Sequence, residues 1–325
     1  MSKVEPFAAR GSVHASPAHA PAQPLPATPG LAGPTAPTAP TAPATPVQLV
    51  RVTPTPRVEV WDMSSGIEQA VTGAQLLEGT DPDIARAYAN AVKVDEFMRT
   101  QLGRNGWDDK GSPIRIVVHA PNEDGTPRMN NAYWDGLTKR IYLGDGDGEV
   151  FTPLGGALDV LVHEATHAIV DAEVNLRYEG QQGGINESWS DVLATLADPD
   201  DWLIGEDVFT PGQPGDSIRD LERPRFGHVS QLPDGSMIEP HDYSGIPSLA
   251  AVRVAEGVGR EQMGRIWYSA LVDHLDSRAG FAGAARATLD AAAELFGPTS
   301  TQVSTVLDAW KSVGVDPRWS APTPS

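Results

Sequence analysis

The stretch VHEATHAIVD, Val162 to Asp171, sets two histidines four residues apart around a glutamate, in a run otherwise made of small, aliphatic and a few polar residues. Its composition predicts a helix beginning near Gly156. On that helix His163 and His167 stand one turn apart on the same face, the spacing two imidazoles need to share a tetrahedral metal. Glu164 lies about 100° round from His163, so it reaches a water beside the ion without ligating it. Two histidines and a carboxylate can also share a helix with no metal between them, and a third ligand is what separates the two cases. The chain has no cysteine, so that ligand has to be histidine or carboxylate.

Glu173 is six residues beyond His167, about 240° round and roughly 9 Å further along a continuing helix, which takes it out of reach. A third histidine after a helix-breaking glycine is ruled out as well, because Val170 and Glu173 occupy those places. GGINESWSDV, Gly183 to Val192, opens a second helix with Glu187 and Asp191 four apart on one face. Glu187 is placed to ligate, and Asp191 to accept the outer N–H of a ligand histidine.

Outward from this junction the chain divides. Residues 1–47 hold eleven of the 29 prolines, including PTAPTAPTAP from Pro34 to Pro43, and almost no large apolar residue. They read as a disordered, partly polyproline tail. From 48 to 172 a β-rich subdomain is expected, with short β-rich runs up to about Gly79 and a helix from Asp81–Pro82 to Gly103. Strands follow at IRIVVHA, NNAYW and KRIYL. From 173 to 325 helical spacing dominates, as in Met263, Ile266, Trp267, Ala270 and Leu271, and in Val303, Val306, Leu307 and Trp310. The fold class is therefore α+β, with the helix that bears the two histidines at the junction between a β-rich and an all-helical half.

A formal net charge of −19 argues against nucleic acid and anionic membranes as partners. No apolar run reaches the length of a membrane span. The opening MSKVEPFAAR lacks the apolar core of a secretory signal, so export by an unconventional route is the expectation. GDGDG, Gly144 to Gly148, lacks the glycine spacing of a nucleotide loop and reads as a turn.

HEATH followed by GGINESWSD resembles the thermolysin family of zinc metallopeptidases. The resemblance runs from about Asp81 to Val315 through NNAYWDG, YLGDGDG, DWLIGEDVFTPG, IRDLERP, HDYSGI and ELFGPTSTQVSTVLDAWKSVGV, with a shortened part at 48–80. It implies one catalytic zinc on His163, His167 and Glu187, with Glu164 as general base and Tyr178 and His241 as donors to the oxyanion. The family aspartate that orients this histidine falls at Ser236, leaving Asp234 as a substitute. Asn131 and Ala132 are implied to pair with a peptide and Arg219 to hold a substrate carbonyl. Phe151, Leu154, Val160, Ile204 and Ile218 correspond to the pocket for the residue after the cut, implying cleavage before Leu, Phe, Ile or Val.

Acidic oxygens gathered from a helix and a loop suit calcium. By the same resemblance one ion is expected on Asp159, Asp198, Asp201, Glu206 and the Leu203 carbonyl, with no firm place for a second. The activity expected is a monomeric endopeptidase acting on peptides or proteins. Two alternatives compete with it, a catalytically weak scaffold used for binding and a zinc hydrolase acting on something other than protein. An intact set of site residues speaks against the first, and a peptide-pairing strand against the second.

Overall fold

A computed structural model describes residues 55–78, 81–233 and 238–319. The 1–47 tail, the whole of VQLVRV, Asp234 and Ser236 lie outside the described residues. The sheet contains β1 (Val58–Asp62), β2 (Gln69–Ala70), β3 (Ile114–Val118), β4 (Ala132–Asp135) and β5 (Arg140–Leu143), in the order β2-β1-β3-β5-β4. β1, β3 and β5 run parallel to one another, whereas β4 returns antiparallel to β5 with Ala132 opposite Leu143 and Asp135 opposite Arg140. β4 is therefore an edge strand, and its outer backbone groups have no strand beside them within this sheet.

Helix α1 (Gly73–Glu78) occupies part of the segment expected to hold only β-rich runs and turns. Its start is local chemistry rather than periodicity. Thr72 Oγ1 accepts from Gln75 N at 3.3 Å, and Gln75 Oε1 accepts from Thr72 N at 2.8 Å, a reciprocal capping box. Helix α2 (Pro82–Thr100) is capped by Asp81 and lays Ile84, Tyr88, Ala91, Val94 and Met98 against the sheet and α3.

α3 (Leu158–Glu173) carries the two histidines, and α4 (Gly180–Ala197) crosses it carrying Glu187. α4 begins one turn before the expected Gly183. That glycine and Gly184 lie inside the helix because α5 (Pro240–Val258) packs against them: a Cβ on Gly183 would sit 2.9 Å from Pro240, and one on Gly184 2.4 Å from Tyr243 Cβ. Helices α6 (Arg260–Ser269), α7 (Phe281–Phe296) and α8 (Thr301–Ser312) complete this half, α6 running on into a π-helical stretch, Ala270–His274. A short ribbon of β6 (Leu203–Ile204) and β7 (Arg219–Asp220) lies beside α4.

The described residues fall within one compact unit, and one apolar core runs through both halves. In the helical half the core is organised by Trp189, Trp267 and Trp310, each with no exposure, stacked with ring centroids 5.9 and 6.4 Å apart. Their polar edges are satisfied in part: Trp189 Nε1 donates to Trp267 O and Trp310 Nε1 to Thr288 Oγ1. No described helix is long and apolar enough to cross a membrane.

Candidate metal centre

α3 is buried along nearly its whole length, from Asp159 to Val170, and α4 from Gly183 to Thr195, so the residues between them meet in the protein interior. There one donor atom each from His163, His167 and Glu187 lies within 4.8 Å of the others. His163 Nε2 is 3.4 Å from Glu187 Oε2, and His167 Nε2 is 3.4 Å from Glu187 Oε1. Zinc bonds of about 2.0–2.1 Å at tetrahedral angles set neighbouring donors about 3.3 Å apart, so these three fit a zinc ion. Glu187 Oε2 is buried and has no hydrogen-bond partner among the described residues, as a ligand oxygen awaiting a cation should be.

The outer nitrogens are held in turn. His163 Nδ1 lies 2.8 Å from Asp191 Oδ1, where the sequence reading put this carboxylate. His167 Nδ1 is 2.8 Å from Asn186 Oδ1 and 3.1 Å from Ser190 Oγ, two partners that reading missed. Donation from Nδ1 to the amide oxygen leaves the Nε2 lone pair facing the site. Asn186 directly precedes Glu187, a place that no metal-ligand spacing marks.

Burial disfavours a charge on either imidazole, yet the two part company. Glu187 and Asp191 outweigh burial at His163 and raise it to about 9, whereas burial dominates at His167 and lowers it to about 4. Glu187 is itself buried, but His241, His163 and His167 hold it well below the usual carboxylate range. The negative surroundings that favour a proton on His163 favour a metal cation equally.

Glu164 is buried on the same helix, with Oε2 accepting from Trp134 N of the edge strand at 2.8 Å and Oε1 left without a partner. Burial raises its carboxyl to about 7. Tyr178 donates its hydroxyl to Glu187, and burial first, then that carboxylate, raises the phenol well above 10, so it stays protonated. His241 Nε2 stands 3.3 Å from Glu187 Oε2, and burial lowers this imidazole. Asp234, the substitute expected to orient it, lies outside the described residues.

Arg219 reaches the Asp191 carboxylate. Its Nε and Nη2 donate to Asp191 at 2.8 and 2.6 Å, so the fork clamps the carboxylate that also holds His163. Asn131 is buried just ahead of β4, and Ala132 opens that strand. Four of the five residues of the expected apolar pocket are core: Leu154, Val160 and Ile204 have no exposure and Phe151 has 4%. Ile218 alone is half-buried, against the closely approaching Gly205.

Beside α3 a second acidic group differs from the expected set. Asp198, Glu206 and Asp207 offer oxygens within 4.8 Å of one another. Buried Asp159 accepts from Gly205 N, and burial raises it to about 6 and Glu206 to about 7. Asp201 is exposed and instead accepts from Leu203 N at 2.8 Å, as a short loop favours. Asp207, adjacent to Glu206, was passed over in the sequence.

Comparison with known proteins decides the family. Residues 57–171 match the model of the thermolysin metallopeptidase catalytic domain, and residues 174–315 that of its alpha-helical domain. The chain belongs to the thermolysin metallopeptidase family. Among thermolysin-family relatives, a bacillolysin of Brevibacillus brevis is 39% identical over 252 residues, covering 73% of this chain and 46% of the relative. An extracellular elastase of Staphylococcus epidermidis is 41% identical over 245 residues, covering 72% and 48%. The chain thus spans about half the length of the curated relatives it matches. A solved structure, the precursor of protealysin, a metalloproteinase from Serratia proteamaculans, superimposes with a TM-score of 0.69 at 29% identity, covering 79% of this chain and 87% of that one.

Proposed function

We propose that this chain is a zinc-dependent endopeptidase. The observation that carries the reading is the meeting of His163, His167 and Glu187 beside a carboxylate, Glu164, that also touches the backbone of an edge strand. Zinc, once bound by those three residues, supplies Lewis-acid polarisation of a carbonyl and acidification of a water molecule.

The chain supplies the rest. Glu164, raised to about 7, is near the value at which a base both accepts a proton and releases it at neutral pH. Its unpartnered Oε1 takes the proton of water and later delivers it to the departing amine, while the bond from Trp134 N fixes Oε2. Tyr178, kept protonated, and His241 are the donors for the charge that develops on the carbonyl oxygen; each such donor is worth about 3–4 kcal/mol of barrier. Asp191 orients His163, and Arg219 clamps Asp191. The edge of β4, led in by Asn131 and Ala132, offers backbone groups to an extended peptide, which gives affinity with little sequence preference. Cleavage before Leu, Phe, Ile or Val then depends on Ile218 and on how far Phe151 yields.

A calcium ion on Asp198, Glu206 and Asp207, with Asp159 behind them, belongs to the same proposal. Glu206 Oε2 is buried without a partner, and repulsion among these carboxylates calls for a cation.

Glu164→Gln is the test. It keeps shape and removes the base, so the purified variant should bind zinc like wild type by metal analysis and cut an unfolded protein at least about a hundredfold more slowly. Wild type should lose activity to a chelator. Equal cleavage by both, or zinc-loaded wild type that cuts nothing, would overturn the reading.

A further inference from the structure

β4 leads into a tight hairpin whose tip is braced by one side chain: Asp135 accepts from Leu137 N at 2.8 Å and from Thr138 Oγ1 at 3.1 Å. The last turn residue, Lys139, adopts φ 57°, a left-handed conformation in which glycine or asparagine is the default. Lys139 Nζ lies 5.6 Å from the Trp107 ring and 5.7 Å from the Trp134 ring, and those two indoles meet at 5.3 Å. Among the described residues no carboxylate comes within ion-pair distance of this ammonium; Asp171, which accepts from the Trp134 indole N–H at 2.8 Å, interacts with it only at longer range. The Trp107 indole N–H is likewise buried without an acceptor. Two donors in one cluster lack an acceptor, in a chain with an excess of carboxylates.

The cluster has a definite place relative to the proposed reaction. Trp134 N reaches Glu164, so Trp134 and, by the two-residue period of a strand, Ala132 turn their backbone groups away from β5. A peptide pairing antiparallel with that edge runs its N-terminal part toward Asp135 and the hairpin tip. Residues upstream of the cut therefore approach Lys139 and Trp107, and those downstream approach Asn131.

We propose that Lys139, seated on Trp107 and Trp134, is a specificity residue that favours an acidic side chain two or three positions upstream of the cut. This rests on the endopeptidase reading. A carboxylate there supplies the direct ion pair that Asp171, bound to the Trp134 indole, does not make, and the indole faces hold the ammonium in one position without neutralising it. The remaining acidic surface repels such substrates generally, so the preference is local and sensitive to salt.

The experiment uses peptides with leucine after the cut and Asp, Asn or Lys at the second or third upstream position. Wild type should prefer Asp to Asn by roughly three- to fivefold in kcat/KM, mostly through KM, as expected for one partly exposed ion pair. The preference should shrink between about 0.05 M and about 0.5 M salt. Lys139→Arg should retain it, and Lys139→Glu should reverse it toward Lys. Identical profiles for wild type and Lys139→Glu would overturn the inference, and a lowered melting temperature with an unchanged profile would make Lys139 a structural clasp only. If wild type cuts none of the peptides and no unfolded protein either, the endopeptidase reading itself fails and takes this one with it; a flat profile from an active enzyme defeats this one alone.

Discussion

His119 adopts φ 59° at the end of β3, and its ring bridges two segments: Nδ1 is 2.7 Å from Asp145 and Nε2 is 3.7 Å from Asp81, the cap of α2. The hydrogen bond to Asp145 raises this imidazole above its usual 6.5, although burial opposes the shift. A raised folded-state value means stability that is fully present below about 6.5, the unfolded value, and lost as pH rises through the folded one. The gap in denaturation midpoint between wild type and His119→Gln should therefore be widest near pH 6 and narrow in alkaline buffer; a gap independent of pH would show that packing alone is lost. Asp145 belongs to the GDGDG turn, whose Asp147 binds Asn130 at 2.6 Å. The sequence identifies that stretch as a turn without revealing its partners, because both lie far away along the chain. Likewise His163, His167, Glu187 and Asp191 stand out through local helical spacing, whereas Asn186 and Asp207 acquire their neighbours only when α4 and its following loop fold back on α3.

At the level of elements, the contact between α4 and α5 depends on glycines where a helix ordinarily prefers alanine. A methyl group on Gly184 would meet Tyr243 Cβ at 2.4 Å and the Tyr243 carbonyl carbon at 3.0 Å, so backbone as well as side chain must move. Gly184→Ala should destabilise the fold by about 1–3 kcal/mol in a urea titration despite alanine's better helix propensity. An unchanged or raised midpoint would mean that the two helices separate freely. Periodicity in the sequence identified α2, α6 and α8, whose apolar faces repeat at helical spacing. It missed α1, where a capping box does the work, and began α4 late, because GGINES reads as a helix start when its glycines are in fact packing surfaces.

Across the whole molecule, the acidic group beside α3 adds a cost to the metal-free fold that calcium would remove. An ion at about a hundred times its dissociation constant contributes about 2.7 kcal/mol, which for a domain of this size is on the order of 5–10 °C in melting temperature. Chelation at neutral pH should lower the midpoint by that order. Asp207→Asn should abolish the calcium response and Asp201→Asn should leave it intact, the reverse of what the sequence alone suggested. The division into a β-rich and a helical half was readable from residue spacing; the tryptophan stack that organises the helical half was not, since Trp189, Trp267 and Trp310 meet only in three dimensions. The anchoring of β4 has a kinetic consequence. Trp134 is tied to α3 twice, through its backbone N–H to Glu164 and its indole N–H to Asp171 at 2.8 Å, which couples the sheet to the helix that carries the base and both histidines. Glu187 stands on α4. An ion held by the three residues would pin α3 to α4 like a rivet, so that its escape and the parting of those helices would become a single event with a single rate.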